Sequence, residues 1–258
     1  MNGPRVNTIS NHLSLRPPQR ISLEILARVC DTIPLEKNAD LDQALQVIQS
    51  EFPSVSDFER DFPSLCFALA TGVGKTRLMG AFITYLFKTR GIRHFFVLAP
   101  NLTIYNKLTT DFTPNTPKYV FQGIAEFAVT PPKIITGDNY ETGRGIRQKD
   151  YLPGIEWETP IHINIFNISK ITSTERPKGA VKSNIPRFRR LHEYIGQSYF
   201  EYLSNLDDLV LLMDESHRYR ASAGMKAISE LKPILGLELT ATPQIEEEKG
   251  HSQKYQAV

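Results

Sequence analysis

The feature that most constrains this chain is a glycine-rich turn between two apolar segments. Residues 70–76 read Ala-Thr-Gly-Val-Gly-Lys-Thr, with Phe-Ala-Leu before them and apolar residues at helical spacing after them. A strand, a glycine turn and a helix start form a phosphate cradle, because the glycines let backbone N–H groups face an anion and the helix N-terminus adds partial positive charge. The residues predicted to bind phosphate are Thr71, Gly72, Val73, Gly74, Lys75 and Thr76, and the Thr76 hydroxyl would also bind Mg²⁺.

The turn departs from the strict pattern G-x-x-x-x-G-K-S/T, because Leu69 stands where the first glycine would be. An ordinary glycine-rich turn with a surface lysine is the alternative interpretation. Two motifs further along the chain favour the phosphate site.

The second motif is an apolar run that ends in two carboxylates. Residues 209–217 read Leu-Val-Leu-Leu-Met-Asp-Glu-Ser-His, which is typical of a buried parallel strand with acids at its carboxyl end. Ligands bind at that end of open α/β sheets. In a nucleotide hydrolase, Asp214 would bind Mg²⁺ and Glu215 would position or deprotonate the attacking water. The alternative is a strand that ends in a solvated acidic turn.

The third motif is Leu-Glu-Leu-Thr-Ala-Thr-Pro at residues 237–243, which predicts a short strand ended by a proline. Alone it would be an ordinary junction between a strand and a loop. It gains meaning from its place after the glycine turn and the acidic box.

In this order, the three motifs resemble those of the first RecA-like lobe of superfamily 2 helicases and DNA translocases with a DEAD/DEAH-type core. Within that group the chain is most similar to the restriction (Res) subunit of type III restriction-modification enzymes. Three further features favour that subgroup: Leu-Arg-Pro-Pro-Gln at 15–19, Leu-Ala-Pro-Asn at 98–101 and a serine at position 216 of the acidic box. The resemblance spans residues 13–243. It implies an α/β fold, a RecA-like P-loop NTPase lobe with a mostly parallel β-sheet and helices on both faces.

The resemblance also implies roles for residues outside the phosphate cradle. Gln19 would read the adenine of ATP, since one amide can donate to and accept from the same base edge, and a surface glutamine is the alternative. Thr240 and Thr242 would couple ATP hydrolysis to movement along a nucleic-acid strand. His217 would either sense the phosphate end or cap a loop.

Nucleic-acid contacts are implied for the segment after the second predicted strand. Asn101 and Thr103 would lie near backbone phosphates, and Asn101 would also cap the following helix. A second candidate, argued from charge alone, is the basic stretch at residues 170–190, from which Arg187 and Arg189 are predicted to contact DNA. The alternative for that stretch is a solvated loop.

Composition agrees with a globular protein of this kind. The 258 residues are 41% hydrophobic and 22% charged, and the net charge of +2 is compatible with nucleic acid without being diagnostic. No apolar run reaches the ~20 residues that a membrane span needs, and the start lacks a signal-peptide core, so we predict a cytoplasmic protein without membrane contact. Cys30 and Cys66 form no zinc or disulfide pattern, and Cys66 is predicted to be a small core residue.

The predicted elements alternate between helices and strands, as in a parallel sheet with crossovers. Helices are expected at residues 19–32, 41–52, after Asn101 and at 187–203, and strands at 64–67, 94–98, 118–121, 161–166, 209–213 and 237–240. Residues 130–160, rich in Pro, Gly and polar residues, are expected to leave the sheet. The predicted organisation is a flanking region with the adenine-reading glutamine at 1–60, the ATP-binding lobe at 61–243 and a polar tail at 244–258.

The sequence thus predicts an ATP-binding and ATP-hydrolysing motor lobe that uses Mg²⁺. Double-stranded DNA is the expected nucleic acid, and the resemblance implies a second RecA-like lobe, in cis or in trans, whose arginine finger would complete the site. A modification methyltransferase subunit is a further implied partner. These 258 residues leave no room for the second lobe or a nuclease domain, so the chain alone is expected to hydrolyse ATP slowly. The alternatives are a nucleotide-gated binding module for nucleic acid or protein, and a P-loop kinase.

Overall fold

The computed structural model describes residues 3–142, 160–172, 187–190, 197–216 and 222–242. In these ranges six parallel strands form one sheet in the spatial order β1-β6-β5-β2-β4-β3. The strands are β1 (Ser64–Ala68), β2 (His94–Ala99), β3 (Lys133–Thr136), β4 (His162–Asn167), β5 (Leu209–Asp214) and β6 (Leu235–Thr240). This confirms the predicted parallel sheet.

Nine α-helices flank or connect these strands in the described ranges. They are α1 (Gly3–His12), α2 (Pro17–Thr32), α3 (Leu41–Glu51), α4 (Lys75–Arg90), α5 (Leu102–Phe112), α6 (Ala125–Val129), α7 (Ile168–Thr172), α8 (Tyr199–Asn205) and α9 (Ser222–Glu230). Short 3-10 helices cover Tyr140–Thr142 and Arg187–Arg189. None of the helices in these ranges combines the length and apolar character that crossing a bilayer requires.

Both faces of the sheet are covered, because alternate residues of its central strands enter two different cores. In β2, Phe95 and Val97 pack into the core that contains α1, α2 and α4, whereas Phe96 and Leu98 pack into the core that contains α8 and α9. Side chains alternate in direction along a strand, so a strand buried on both faces is apolar at almost every position. This confirms the prediction of helices on both faces.

Helix α4 is the central helix of the first core. Its buried residues are Thr76, Leu78, Met79, Gly80, Ala81, Phe82, Ile83, Thr84, Tyr85 and Leu86. Full burial of one large side chain such as Phe82 contributes roughly 1.5–3 kcal/mol. The helix begins directly after Gly74 and ends directly before its C-cap Gly91, and both glycines have left-handed backbone angles that other residues adopt at a cost. The helix start is therefore fixed next to the glycine turn.

The strand predicted at residues 118–121 is wrong, because this segment forms turns. Val120 and Phe121 are buried in the first core, and a Cβ placed on Gly80 of α4 would lie 3.0 Å from the Val120 Cβ. The Val120 N–H donates to the Asp111 carbonyl of α5 instead of to a strand. The apolar residues of this segment are therefore buried against helices and not in a sheet. A short apolar pattern does not distinguish the two cases.

The strand missing from the sequence prediction is β3, which comes from residues 130–160. That stretch was expected to leave the sheet, yet β3 pairs in parallel with β4, from Lys133 opposite His162 to Thr136 opposite Ile165. Its four residues end just before Gly137, so the strand is too short for a clear alternating pattern.

The prediction that Cys66 is a core residue is also wrong, because its side chain is exposed. In β1, burial alternates, so that Phe67 is buried while Cys66 and Ala68 are exposed. Strand β1 lies at the edge of the described sheet and pairs there with β6. An edge strand with one open face alternates in this way.

Within the described residues, the helix predicted at 187–203 is confirmed at its end and is wrong at its start. Helix α8 begins at Tyr199, because Ser198 is its N-cap and Glu201 completes a capping box. The 3-10 helix Arg187–Arg189 is a separate element, and residues 191–196 lie outside the described part of the chain.

Candidate nucleotide-binding site

The three sequence motifs meet at the carboxyl edge of the neighbouring strands β1, β6 and β5. Ala68, just before the glycine turn, lies opposite Thr240, and Asp214 lies opposite Leu239. The Glu215 N–H continues this pairing by donating to the Leu239 carbonyl at 2.8 Å. Strand β2 lies beside β5, so the segment after β2 reaches the same edge. Ligands of open α/β sheets bind at such an edge.

The glycine turn has the backbone shape of an anion cradle. Gly72 and Gly74 have φ angles of 82° and 97°, a region that favours glycine. A Cβ on Gly72 would meet nothing within 4 Å, so the turn is open on that side, whereas a Cβ on Gly74 would lie 2.8 Å from the Gln19 Nε2. Lys75 is the first residue of α4, so the helix N-terminus adjoins the turn. This geometry is compatible with the predicted phosphate site at residues 71–76.

Lys75 and Glu215 face each other across the site. The Lys75 Nζ lies 2.6 Å from the Glu215 Oε1, and the two side chains are only 11% and 20% exposed. The other carboxylate oxygen, Oε2, accepts from the Ala241 N–H at 3.4 Å and from the Thr240 hydroxyl at 3.5 Å. The Glu215 φ of 52° is uncommon outside glycine and turns the chain directly after β5. One carboxylate thus connects the lysine of the glycine turn with the third motif.

Asp214 and Thr76 provide oxygen atoms that suit a hard divalent cation. Both residues are buried, Asp214 at the end of β5 and Thr76 in the first turn of α4. Burial raises the pKa of the Asp214 carboxyl and the Glu215 charge raises it further, while the ammonium groups of Lys75 and Lys107 oppose this. Mg²⁺ is usually bound by one or two protein oxygens together with substrate phosphates and water. The carboxylate and hydroxyl present here fit Mg²⁺.

Gln19 joins α2 to the glycine turn. It is 1% exposed, its Nε2 donates to the Gly74 carbonyl at 2.8 Å, and its Oε1 accepts from the Arg16 N–H at 2.7 Å as part of the capping box that starts α2. The Arg16 guanidinium donates to the Gly72 carbonyl at 3.0 Å. The surface-glutamine alternative is therefore wrong. An amide has two donor hydrogens and two acceptor lone pairs, so these two bonds leave one donor and one acceptor that could still bond a base. Adenine reading by Gln19 stays a prediction.

The predicted coupling residues lie at the end of β6. Thr240 is 1% exposed, and its Oγ1 donates to Glu215 and accepts from the Thr242 N–H at 3.2 Å. Thr242 itself is exposed. These bonds join the predicted water-positioning carboxylate to the backbone that leaves the sheet. His217 lies outside the described residues, so its predicted role has no structural description.

One candidate DNA contact lies at the N-terminus of α5. Asn101 is the N-cap, and its Oδ1 accepts from the Ile104 N–H at 2.9 Å, which confirms the predicted cap. Thr103 is exposed in the first turn of this helix. Both residues follow β2 at the carboxyl edge of the sheet, so they lie on the same edge as the three motifs.

The other candidate DNA contacts, Arg187 and Arg189, belong to a short 3-10 helix that packs against α7 and α8. The Arg189 guanidinium lies 3.9 Å from the centre of the Phe200 ring and forms an ion pair with Glu230. The charge of Arg189 is thus partly neutralised by a partner within the protein. Most of the basic stretch at residues 170–190 lies outside the described residues.

Lys107 is a candidate that the sequence analysis missed. It lies on α5, and its Nζ donates to the Thr76 Oγ1 at 3.0 Å. The two residues are far apart in the chain, and only the position of β2 beside β5 brings α5 to the glycine turn. Arg16 was missed as well, although it belongs to the Leu-Arg-Pro-Pro-Gln segment that the sequence analysis singled out.

Comparisons with known proteins add the family. The solved structure of the Sulfolobus solfataricus SWI2/SNF2 ATPase core in complex with dsDNA is similar at 16% identity and a TM-score of 0.40, over 80% of this chain and 33% of that chain. The present chain therefore spans a third of the length of that relative. A comparison with curated proteins found no match. The family described as "Type III restriction enzyme, res subunit" matches residues 12–245.

This family match covers almost the whole chain, and it confirms the resemblance drawn from the three motifs. The parallel sheet covered by helices is that of a RecA-like α/β lobe. Together they support a helicase-like ATPase lobe. The chain belongs to the family of type III restriction enzyme Res subunits.

Proposed function

We propose that this chain binds ATP and Mg²⁺ and hydrolyses ATP as the motor lobe of a DNA helicase or translocase of the type III restriction kind. The observation that carries the proposal is the 2.6 Å contact between Lys75 and Glu215 where the three motifs meet. A phosphate-binding lysine beside a carboxylate that could orient water suits hydrolysis, because both groups act on the terminal phosphate. A P-loop kinase would leave the contacts of Thr240 with Glu215 unexplained.

Each residue has a stated role in this proposal. The backbone N–H groups at residues 71–76 and the Lys75 ammonium bind the outer phosphates. Thr76 and Asp214 hold Mg²⁺, which neutralises phosphate charge. The Glu215 carboxylate orients the water that attacks the γ-phosphate and accepts its proton. Because Lys75 and Glu215 contact each other directly, the two groups must separate for the lysine to reach a phosphate.

We propose double-stranded DNA as the nucleic acid and the cytoplasm as the location. Asn101 and Thr103 would bind a backbone phosphate, because the N-terminus of α5 offers free N–H groups at the same edge as the ATP site. Arg187 and Arg189 would add charge, although the pairing of Arg189 with Glu230 weakens its candidacy. Thr240 would report the state of the ATP site to the chain beyond β6.

The proposal also requires partners. A second RecA-like lobe, in cis or in trans, would supply an arginine finger, and such fingers accelerate hydrolysis by ~10³-fold or more. A modification methyltransferase subunit would be the further partner of a type III restriction enzyme. Without the second lobe, the chain is expected to hydrolyse ATP slowly.

The deciding experiment measures ATP hydrolysis by the purified protein, with and without duplex DNA, beside the variant Glu215→Gln. Loss of the carboxylate should lower turnover by roughly 10²-fold or more while ATP still binds, because general-base catalysis contributes that much. Glu126→Gln is the matched control, since it removes a carboxylate that pairs with Lys88 away from the site. Turnover that DNA stimulates and that only Glu215→Gln abolishes supports the motor lobe.

Other outcomes would favour the alternatives. Nucleotide binding without turnover, even with DNA and an added second lobe, would favour a nucleotide-gated binding module. Phosphoryl transfer to a small molecule would favour a kinase. A protein that binds no ATP at all would overturn the proposal.

A further inference from the structure

The ammonium group of Lys107 contacts Thr76, one of the two residues proposed to bind Mg²⁺. Its Nζ donates to the Thr76 Oγ1 at 3.0 Å, and Thr76 is buried at the start of α4. The hydroxyl oxygen that accepts this hydrogen bond is the same atom that would bind Mg²⁺. An ammonium and a divalent cation around one oxygen repel each other strongly in a partly desolvated site.

The same ammonium has another acceptor within short reach. Asp111 lies four residues later on α5, and its Oδ2 is 3.7 Å from the Lys107 Nζ. Residues at this spacing are neighbours on a helix surface, so a rotation about the flexible lysine stem exchanges one acceptor for the other. The Lys107 side chain is 58% exposed and can rotate, whereas Asp111 is 9% exposed and fixed.

The charge of Lys107 also acts on the second predicted metal ligand. Burial raises the pKa of Asp214, and the Lys107 ammonium is one of two positive charges that oppose this effect. The Lys107 charge therefore favours the ionised form of Asp214. Lys107 thus contacts Thr76 directly and acts on Asp214 through its charge, although it belongs to neither motif.

We propose that Lys107 competes with Mg²⁺ for Thr76 and moves to Asp111 when the metal binds with its nucleotide. Lys107 is thus a positioning residue: it holds the Thr76 hydroxyl by a hydrogen bond until the metal binds, and it sets the Mg²⁺ concentration that nucleotide binding requires. This inference rests on the proposed function, because it needs Thr76 and Asp214 to be metal ligands.

The test is a Mg²⁺ titration of nucleotide binding, followed by the fluorescence of N-methylanthraniloyl-ADP. Lys107→Met keeps the aliphatic stem and removes the charge, so the half-saturating Mg²⁺ concentration should fall by roughly three- to tenfold, as expected for the loss of one like-charge repulsion. Lys107→Arg keeps the charge and should retain a requirement close to that of the wild type. Lys88→Met, which removes a lysine paired with Glu126, should change nothing.

A second variant is expected to act in the opposite direction. Asp111→Asn removes the alternative charged acceptor, so Lys107 should stay on Thr76 and the half-saturating Mg²⁺ concentration should rise. Melting temperatures of all variants show whether each one is folded. Opposite shifts from two residues on one helix are not expected from a structural defect.

Three results would overturn the inference. One is an unchanged or higher Mg²⁺ requirement in Lys107→Met. Another is weaker nucleotide binding by Lys107→Met in excess chelator, which would make Lys107 a phosphate ligand instead. The third, absence of nucleotide binding by the wild type, would overturn the proposed function as well, whereas the first two leave it standing.

Discussion

The Lys75 Nζ and the Glu215 Oε1 lie 2.6 Å apart, so the residue proposed to bind phosphate and the residue proposed to orient water are partners of each other. Both side chains are mostly buried, which strengthens their attraction relative to a surface pair. The pair also spans two neighbouring motifs, since Lys75 begins α4 and Glu215 follows β5. Phosphate binding must therefore replace one charged partner of Lys75 by another.

Replacing Lys75 by alanine tests this exchange. Lys75→Ala removes a charged donor to the outer phosphates, so ATP affinity should fall by roughly 10- to 100-fold. Isothermal titration calorimetry would measure it, with Lys88→Ala as a control from the last turn of the same helix. If Lys75 serves only to hold Glu215, ATP affinity will be the same in wild type and Lys75→Ala.

The three motifs could be recognised in the sequence because each motif is local, and the structure brings them to one edge of the sheet. A strand, a turn and a helix start within residues 64–82 specify the glycine turn, and the five apolar residues before Asp214 specify where this acid lies in β5. Lys107 could not be predicted, since its contact with Thr76 depends on the order of β5 and β2 in the sheet. The error at residues 118–121 has the same origin, because packing on α4 decided that segment.

Gly74 should be intolerant of any side chain. Gly74→Ala would hold alanine at a φ of 97° and place its Cβ 2.8 Å from the Gln19 Nε2, which must then leave the Gly74 carbonyl. We expect the free energy of unfolding to fall by the ~1–2 kcal/mol of left-handed backbone and by about 1 kcal/mol more for the hydrogen bond. Urea unfolding would measure this loss, and ATP affinity should fall as well.

Gly91→Ala is the matched control for Gly74→Ala. Gly91 also has a positive φ, of 69°, but a Cβ there meets nothing within 4 Å. This variant should show the backbone cost alone and keep its ATP affinity. Equal losses of stability and affinity in the two variants would contradict the role given to the contact between Gly74 and Gln19.

A buried ion pair that involves β6 should contribute more to the free energy of unfolding than any surface pair. Arg60 and Glu238 are joined by two hydrogen bonds of 2.8 and 3.2 Å, their side chains are 2% and 8% exposed, and Ser64 donates to the same carboxylate. Glu238→Ala would leave a buried guanidinium without its counter-charge, which costs about 3–5 kcal/mol of unfolding free energy.

The exposed pair of Arg20 and Glu24 provides the comparison for Glu238→Ala. Its side chains are 45% and 47% exposed, so Glu24→Ala should cost at most ~1 kcal/mol in the same urea experiment. Glu238→Gln, which keeps the shape and loses the charge, should fall between the two. Similar losses in Glu238→Ala and Glu24→Ala would show that water reaches Arg60.

Acid should destabilise the fold through His162, at the opposite end of the sheet from the ATP site. Burial and the charges of His94 and Lys133 together lower the pKa of His162 to about 4, although the Asp208 carboxylate opposes them. The ring of His94 packs edge-on against that of His162, with 5.3 Å between the two ring centres. His162 is therefore neutral in the folded protein at a pH where the unfolded chain, with an ordinary histidine pKa of ~6.5, is protonated.

The sign of the pH effect follows from that difference. As the pH falls from 7 to 5, the unfolded state takes up a proton at His162 that the folded state refuses, so the free energy of unfolding should drop by about 2 kcal/mol. His162→Gln cannot be protonated and should lose less stability over the same interval. The control His12→Gln, a change at an exposed histidine of α1, should retain the full loss. A full loss in His162→Gln as well would show that the partly buried His162 ring is not responsible.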